Sequence, residues 1–264
     1  MKKLSFFIAI LLVVLSLSAC GSKNTSGANG SGNGNTLKAI KDEGKITIAV
    51  DDTYPPMEFR NDKNELVGLD IDLAKEVAKE LGVKAEFIPT AWDGIIPGLD
   101  AKKYDIIMSS MNITDERKQK VNFAEYLNFG QVVIVKTGNP LKINSKEDLK
   151  GKVAGVQLGT TSETAAKTIS GIKEIKTYNG YTDAFNDMGL GRLDAIIVGE
   201  MVGRYYMKTK PDAFEIVGDS FQELPVGIAV RKTDKDLEEA LNKAIKNMKD
   251  QGTIDKVKED WFGE

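Results

Sequence analysis

Histidine is absent from all 264 residues. That removes every Ser-His-Asp or Cys-His nucleophile arrangement and every imidazole-ligated metal site. Cysteine occurs once, at Cys20, so the chain can form no internal disulfide. No Walker-type glycine-rich phosphate loop is present. The formal net charge is −3, with no basic stripe, so neither nucleic acid nor another polyanion is an expected partner. An enzyme built from this alphabet would work with carboxylates, Lys, Tyr or Arg. A binding protein would miss nothing, and no cofactor or metal is expected.

The N-terminus carries an export layout. Lys2 and Lys3 precede a continuous apolar run from Phe6 to Leu15, too short to span a bilayer as a permanent helix, and Ser16, Ser18 and Ala19 then lead into Cys20. Leu17-Ser-Ala-Cys20 resembles the bacterial lipobox. It implies a signal peptide over 1–19 and a lipidated Cys20 that holds the protein at the outer face of the cell membrane. One acyl chain binds only marginally, so a stable anchor needs more than one. Residues 20–36 are otherwise Gly, Ser and Asn almost throughout, which cannot bury apolar surface and reads as a flexible leash.

From Leu37 onward the composition is that of a globular protein, and short β-branched runs alternate with helical periodicity. Ile46–Val50 reads as a strand. Leu73, Ala74, Val77, Ala78 and Leu81 follow at helical spacing, closed by Gly82. Ala85–Ile88 and Asp105–Met108 read as strands around a helix from Trp92 to Ala101, and Thr114 can cap a helix running toward Val121. A second set has strands at 132–135, 153–156, near Ile175, 194–198 and 227–230, with helices from about Ser162 and from Thr182. A last helix carries Leu237, Leu241, Ala244, Ile245 and Met248 in register. This alternation predicts an α/β class with largely parallel sheets, arranged in two blocks with a ligand between them.

Nine segments then become recognisable together. They are Asp51-Asp-Thr-Tyr-Pro-Pro-Met-Glu-Phe59, Val67-Gly-Leu-Asp-Ile-Asp-Leu-Ala74, Trp92-Asp-Gly-Ile-Ile-Pro-Gly-Leu99, Lys103-Tyr-Asp-Ile-Ile107, Ile113-Thr-Asp-Glu-Arg117, Asp148-Leu-Lys-Gly-Lys152, Gln157-Leu-Gly-Thr-Thr-Ser162, Gly191-Arg-Leu-Asp-Ala195 and Gly252-Thr253. In this order they resemble the polar amino acid family of solute-binding proteins that serve ABC importers. The resemblance implies a type II periplasmic-binding-protein fold, with two lobes, each a mostly parallel sheet flanked by helices, joined by two hinge strands. Lobe one would comprise 37–129 and 227–264, and lobe two 130–226. The protein would act as a monomer that passes an amino acid to a membrane permease after hinge closure.

The resemblance also assigns candidate ligand contacts. Arg117 takes the position of the carboxylate-binding arginine, for which a planar guanidinium fork is suited. Thr161 sits where a strand gives way to a helix, which favours an anion. Tyr54 and Trp92 would flank the ligand side chain, Asp51 would meet its far polar end, and Ser110 and Asn112 would contact it from the turn before Arg117. Asn112 stands where the family has Ser or Thr. One departure is larger: the aspartate that pairs with the ligand α-ammonium is replaced by Gly199, followed by Glu200. Either Glu200 or another carboxylate takes over, or the ligand is not a standard α-amino acid, or binding is weak. The leading reading is a binding protein for a basic or neutral polar amino acid. Two others stand beside it: a dehydratase-like enzyme for a cyclic carboxylic acid on the same fold, and a ligand sensor.

Overall fold

The computed structural model describes residues 35–263. The segment expected to be a signal peptide, Cys20 and nearly all of the expected leash lie outside the described residues. The helix α1 (Thr36–Glu43) opens the described chain, ends on Gly44 in the left-handed conformation, and buries Ile40. The sequence reading had placed Thr36 in the leash.

The main sheet begins with β1 (Lys45–Val50), which lies between β5 (Lys84–Pro89) and β6 (Ile106–Ile107), parallel to both. The helices α2 (Leu69–Leu81) and α3 (Ile95–Asp100) make the crossovers. Alternation explains why β1 is buried on both faces. Ile46, Ile48 and Val50 point into the core shared with α2, whereas Ala49 packs with Ile95, Leu99 and Ile107 on the α3 side. Burying each of these large aliphatic side chains contributes about 1.5–3 kcal/mol.

After α4 (Asp115–Lys120) the chain enters β7 (Val121–Lys136), a 16-residue strand where the sequence periodicity marked only its end. It pairs antiparallel along most of its length with β11 (Phe214–Arg231), and register shifts interrupt the ladder near Phe221 and Val226. These two strands carry both halves of one eight-stranded sheet. On one side β11 pairs with β6; on the other β7 pairs with β10 (Ala195–Gly199), followed by β8 (Val153–Gln157) and β9 (Glu174–Tyr178) in parallel. The crossovers of this second half are α5 (Thr161–Thr168) and α6 (Tyr181–Gly189).

Five elements had no clear periodicity in the sequence. Three short strands, β2 (Thr53–Tyr54), β3 (Glu58–Arg60) and β4 (Leu66–Val67), form a separate antiparallel sheet. The helix α7 (Glu200–Thr209) follows β10 directly, and α9 (Thr253–Phe262) follows Gly252. The long helix α8 (Lys235–Asp250) returns to pack on α1 and α2, as the resemblance implied for the C-terminal helix. Among the described residues no helix is long and apolar enough to cross a membrane.

Candidate functional site

The carboxyl ends of β1, β6 and β8 converge on a small cavity of about 20 Å³, lined by Asp51, Tyr54, Glu58, Trp92, Ser109, Ser110, Asn112, Arg117, Gln157, Thr160, Thr161 and Ser162. That is room for about one water molecule, so a solute enters only if the walls part. It opens into a wider outer cleft that shares Trp92, Arg117, Thr160 and Thr161.

Arg117 sits in a helix that is capped for it. The Thr114 hydroxyl accepts from the Arg117 backbone N–H at 3.2 Å, while Ile113 N donates to Pro225 O at 2.7 Å and pins the preceding loop to β11. The guanidinium donates from Nη1 to Asn112 O at 2.9 Å and from Nη2 to Gly159 O at 3.2 Å. It also lies 5.2 Å from the centre of the Trp92 ring, and Trp92 Nε1 donates to the same Gly159 carbonyl at 3.1 Å. Burial lowers the Arg117 pKa to about 10, which leaves it charged at neutral pH.

The start of α5 faces Arg117. Thr160 caps it by accepting from Glu163 N at 3.3 Å, and Glu163 Oε2 accepts from Gly159 N at 2.7 Å. Capping by Thr160 frees the Thr161 hydroxyl for another purpose. Ser162 Oγ donates to Gln131 Oε1, Gln131 Nε2 donates to Thr161 Oγ1 at 3.4 Å, and Thr161 Oγ1 donates to Asn112 Oδ1 at 2.6 Å. This relay fixes the Asn112 amide with Nδ2 buried at the cavity wall and without a protein partner among the described residues.

The opposite end is acidic. Asp51 Oδ2 accepts from Gln157 Nε2 at 2.6 Å, and its Oδ1 accepts from the Thr53 hydroxyl at 2.7 Å. Burial pushes the Asp51 pKa up, and those two hydrogen bonds oppose the shift. Behind it lies a carboxyl pair. Ser109 Oγ donates to Glu58 Oε1 at 2.7 Å, and Asp70 accepts from Tyr126 Oη at 2.8 Å and from Ser110 N and Oγ at 2.6 and 2.9 Å. Burial first, and the Asp70 charge second, drive the Glu58 pKa well above the carboxylate range. Burial raises the Asp70 pKa as well, and the pair favours one shared proton, with Glu58 the member pushed further up.

The pair also holds backbone geometry. Ser110 adopts a left-handed φ of 47°, and its two bonds to Asp70 hold it there. Asp70 reaches this place because Gly68 lets α2 start hard against β3. Gly68 has a φ of 144°, and an added Cβ would sit 2.1 Å from Met57 O.

Of the residues proposed from sequence, Asp51, Tyr54, Trp92, Ser110, Asn112, Arg117 and Thr161 come together here. Gly199 lies behind the wall under the Tyr54 hydroxyl. Glu200 does not replace a carboxylate in the cavity. It opens α7, ion-pairs with Arg204 at 2.7 Å, and lines a separate groove with Trp261 and Phe262. The sequence reading did not single out Glu58, Ser109, Gln157, Thr160 or Ser162. Gln157, Thr160 and Ser162 were visible inside a quoted segment, as strand-end and helix-start polar residues. Glu58 carried only the signal of an acid between Met57 and Phe59.

Comparison with known proteins follows from this geometry. Residues 46–264 match the model of the bacterial extracellular solute-binding proteins, family 3. The chain belongs to that family. It is 36% identical to the L-cystine-binding protein TcyJ of Escherichia coli (strain K12) over 86% of each chain. It is 37% identical to the histidine-binding periplasmic protein of the same organism, covering 82% of this chain and 87% of that one. Among solved structures, the ancestral amino acid-binding protein AncCDT-1, described as a precursor of cyclohexadienyl dehydratase, superposes with a TM-score of 0.81. It is 45% identical, over 86% of this chain and 99% of that one. The family is described as extracellular, and these relatives are named as binding proteins for cystine, histidine and amino acids.

Proposed function

We propose that this protein is the lipid-anchored capture component of an ABC importer for a polar amino acid, basic or neutral polar. The observation that carries this reading is the bipolar cavity, with Arg117 and Asn112 Nδ2 at one end and Asp51 at the other. A free amino acid presents a carboxylate and a cation, and each needs a partner once it leaves water. Arg117 takes the carboxylate, with Thr161 and the start of α5 beside it. Asp51, held by Gln157 and Thr53, takes the distal cation or polar group. Tyr54 and Trp92 cover the aliphatic stem between them.

Residues from two stretches of chain close this site, in keeping with a first lobe of 37–129 and 227–264 and a second of 130–226. Among the described residues, four side-chain hydrogen bonds at the cavity link them: Asp51 to Gln157, Asn112 to Thr161, and Trp92 and Arg117 to Gly159. Opening would break these four and expose the cavity, the hinge motion that a permease senses. Cys20, lipidated after removal of residues 1–19, tethers the monomer beside that permease. The names of the relatives, which include cystine and histidine binders, support an amino acid ligand.

Calorimetry of the purified chain lacking its lipid against the common amino acids tests the ligand. Saturable binding of at least one, lost in Arg117→Ala, is the expected result; no binding of any overturns it. For the anchor, Cys20→Ser should move the protein from the membrane fraction to the medium. Unchanged partitioning would refute the tether.

A further inference from the structure

The charges of the cavity are few. Among the described residues Arg117 is its one cation and Asp51 and Glu58 are its two carboxyl groups, and neither carboxyl group perturbs Arg117. Glu58 is turned to Ser109, and burial beside Asp70 raises its pKa, whereas Asp51 is held as an acceptor by Gln157 and Thr53. The two poles share no hydrogen-bond partner: Arg117 holds the Asn112 and Gly159 carbonyls, and Asp51 holds Thr53 and Gln157.

A carboxylate seated on Arg117 and Asn112 Nδ2 places any α-ammonium one carbon away, at the Arg117 end. Among the described residues, neither carboxyl group of the lining, Asp51 or Glu58, hydrogen-bonds Arg117 or Asn112. Asp93, Asp100 and Glu116 belong to the outer cleft, and all three are exposed; Glu116 is also paired with Lys120. Gly199 flanks this end, since it pairs with Gln131, whose amide bonds Thr161. The place of a side chain at 199 is already filled. An added Cβ would lie 2.7 Å from Tyr54 Oη and 3.0 Å from the Phe129 ring. The wall thus offers an α-ammonium neither a counter-charge nor room to build one, while the far end keeps a buried carboxylate for a cation.

Resting on the carboxylate and cation ends assigned above, we propose that this protein selects solutes whose single cationic centre is remote from the carboxylate, namely ω-amino or ω-guanidino carboxylates. The α-ammonium of an amino acid adds no affinity here, because a desolvated ammonium without a partner is unfavourable. Gly199 and Tyr54 together set this selectivity, and Asp51 reads the distal cation.

Two matched pairs test it by calorimetry on the wild-type chain: lysine against ε-aminocaproate, and arginine against δ-guanidinovalerate. Each analogue lacks only the α-amine. The expected result is that at least one analogue binds as tightly as its parent or more tightly, and that neither parent gains from its α-amine. A parent binding ten-fold or more tightly than its analogue overturns the proposal. Binding of neutral polar amino acids with neither pair bound also overturns it, while keeping the amino acid reading. If nothing binds, the reading on which it rests falls too. In the double variant Gly199→Asp with Tyr54→Phe, which makes room for the carboxylate, preference should shift at least ten-fold toward the α-amino parents. No shift in a folded double variant overturns the role given to Gly199. Should that variant not fold, the wild-type comparison still decides.

Discussion

Gln157 Nε2 donates to Asp51 Oδ2 at 2.6 Å, joining the ends of β1 and β8 across 106 residues of sequence. The same amide hydrogen-bonds the Asn179 carbonyl at 2.8 Å. One side chain thereby ties the acidic end of the cavity to the second half of the sheet, and both ligand charge and closure pass through it.

Asp51→Asn should keep this hydrogen bond, because the new Oδ1 still accepts from Gln157, yet it removes the charge. Affinity for a cationic solute should fall by roughly 10- to 100-fold. Wild-type affinity for such a solute should also drop as pH falls through the raised pKa of Asp51, since protonation deletes the charge in the same way. Titration calorimetry at several pH values checks both, and the variant should lack the acidic limb.

Arg117→Ala should weaken binding of any carboxylate ligand by roughly 100-fold or more, about 3 kcal/mol, as expected for one partner of a buried charge pair. Arg117→Lys should recover little of it. An ammonium cannot hold the Asn112 and Gly159 carbonyls and fork a carboxylate at once. Binding by the lysine variant within a few-fold of wild type would argue against a bidentate seat.

Glu58 should shape the pH dependence of stability. Its folded pKa lies above its unfolded value, so the folded state holds a proton that the unfolded chain releases. Stability from this group is full below the ordinary glutamate range and is lost as pH rises toward the folded pKa. Glu58→Gln retains an acceptor for Ser109 and a donor for Asp70 without titrating. Melting curves from pH 4 to 8 should show a smaller decline for the variant, and a parallel decline would contradict a shared proton.

Thr114→Ala should lower stability by about 1 kcal/mol through loss of the N-cap of α4, a Tm drop of roughly 2–4 °C in a domain of this size. Because that cap orients the turn bearing Arg117, ligand affinity should fall with it. An unchanged affinity would show that Trp92 and the carbonyls alone hold the guanidinium.

The sequence by itself determined the class of fold and most of the pocket. Period-two runs such as Ile46–Val50 and the apolar stripe of α2 depend only on which residues are apolar and how they are spaced. Asp51, Trp92, Arg117 and Thr161 were legible through the resemblance of the segments that hold them, and the fold sets those segments at strand ends and helix starts around one cavity. Short or charge-rich elements were not legible. Neither β2 to β4 nor α7 is long enough, or regular enough, to show a period, and packing against neighbours decides them.

Only the tertiary structure decided the electrostatics. Adjacent numbers suggested that Glu200 could stand in beside Gly199, but the start of α7 turns it toward Arg204 and away from the cavity. Glu58 and Asp70 lie 12 residues apart, and nothing in their spacing says that they share a proton. Burial against each other raises both pKa values, and burial is a property of the assembled fold. The Asn112 amide likewise gains a direction only when Gln131 of β7 and Thr161 and Ser162 at the start of α5 arrive to orient it.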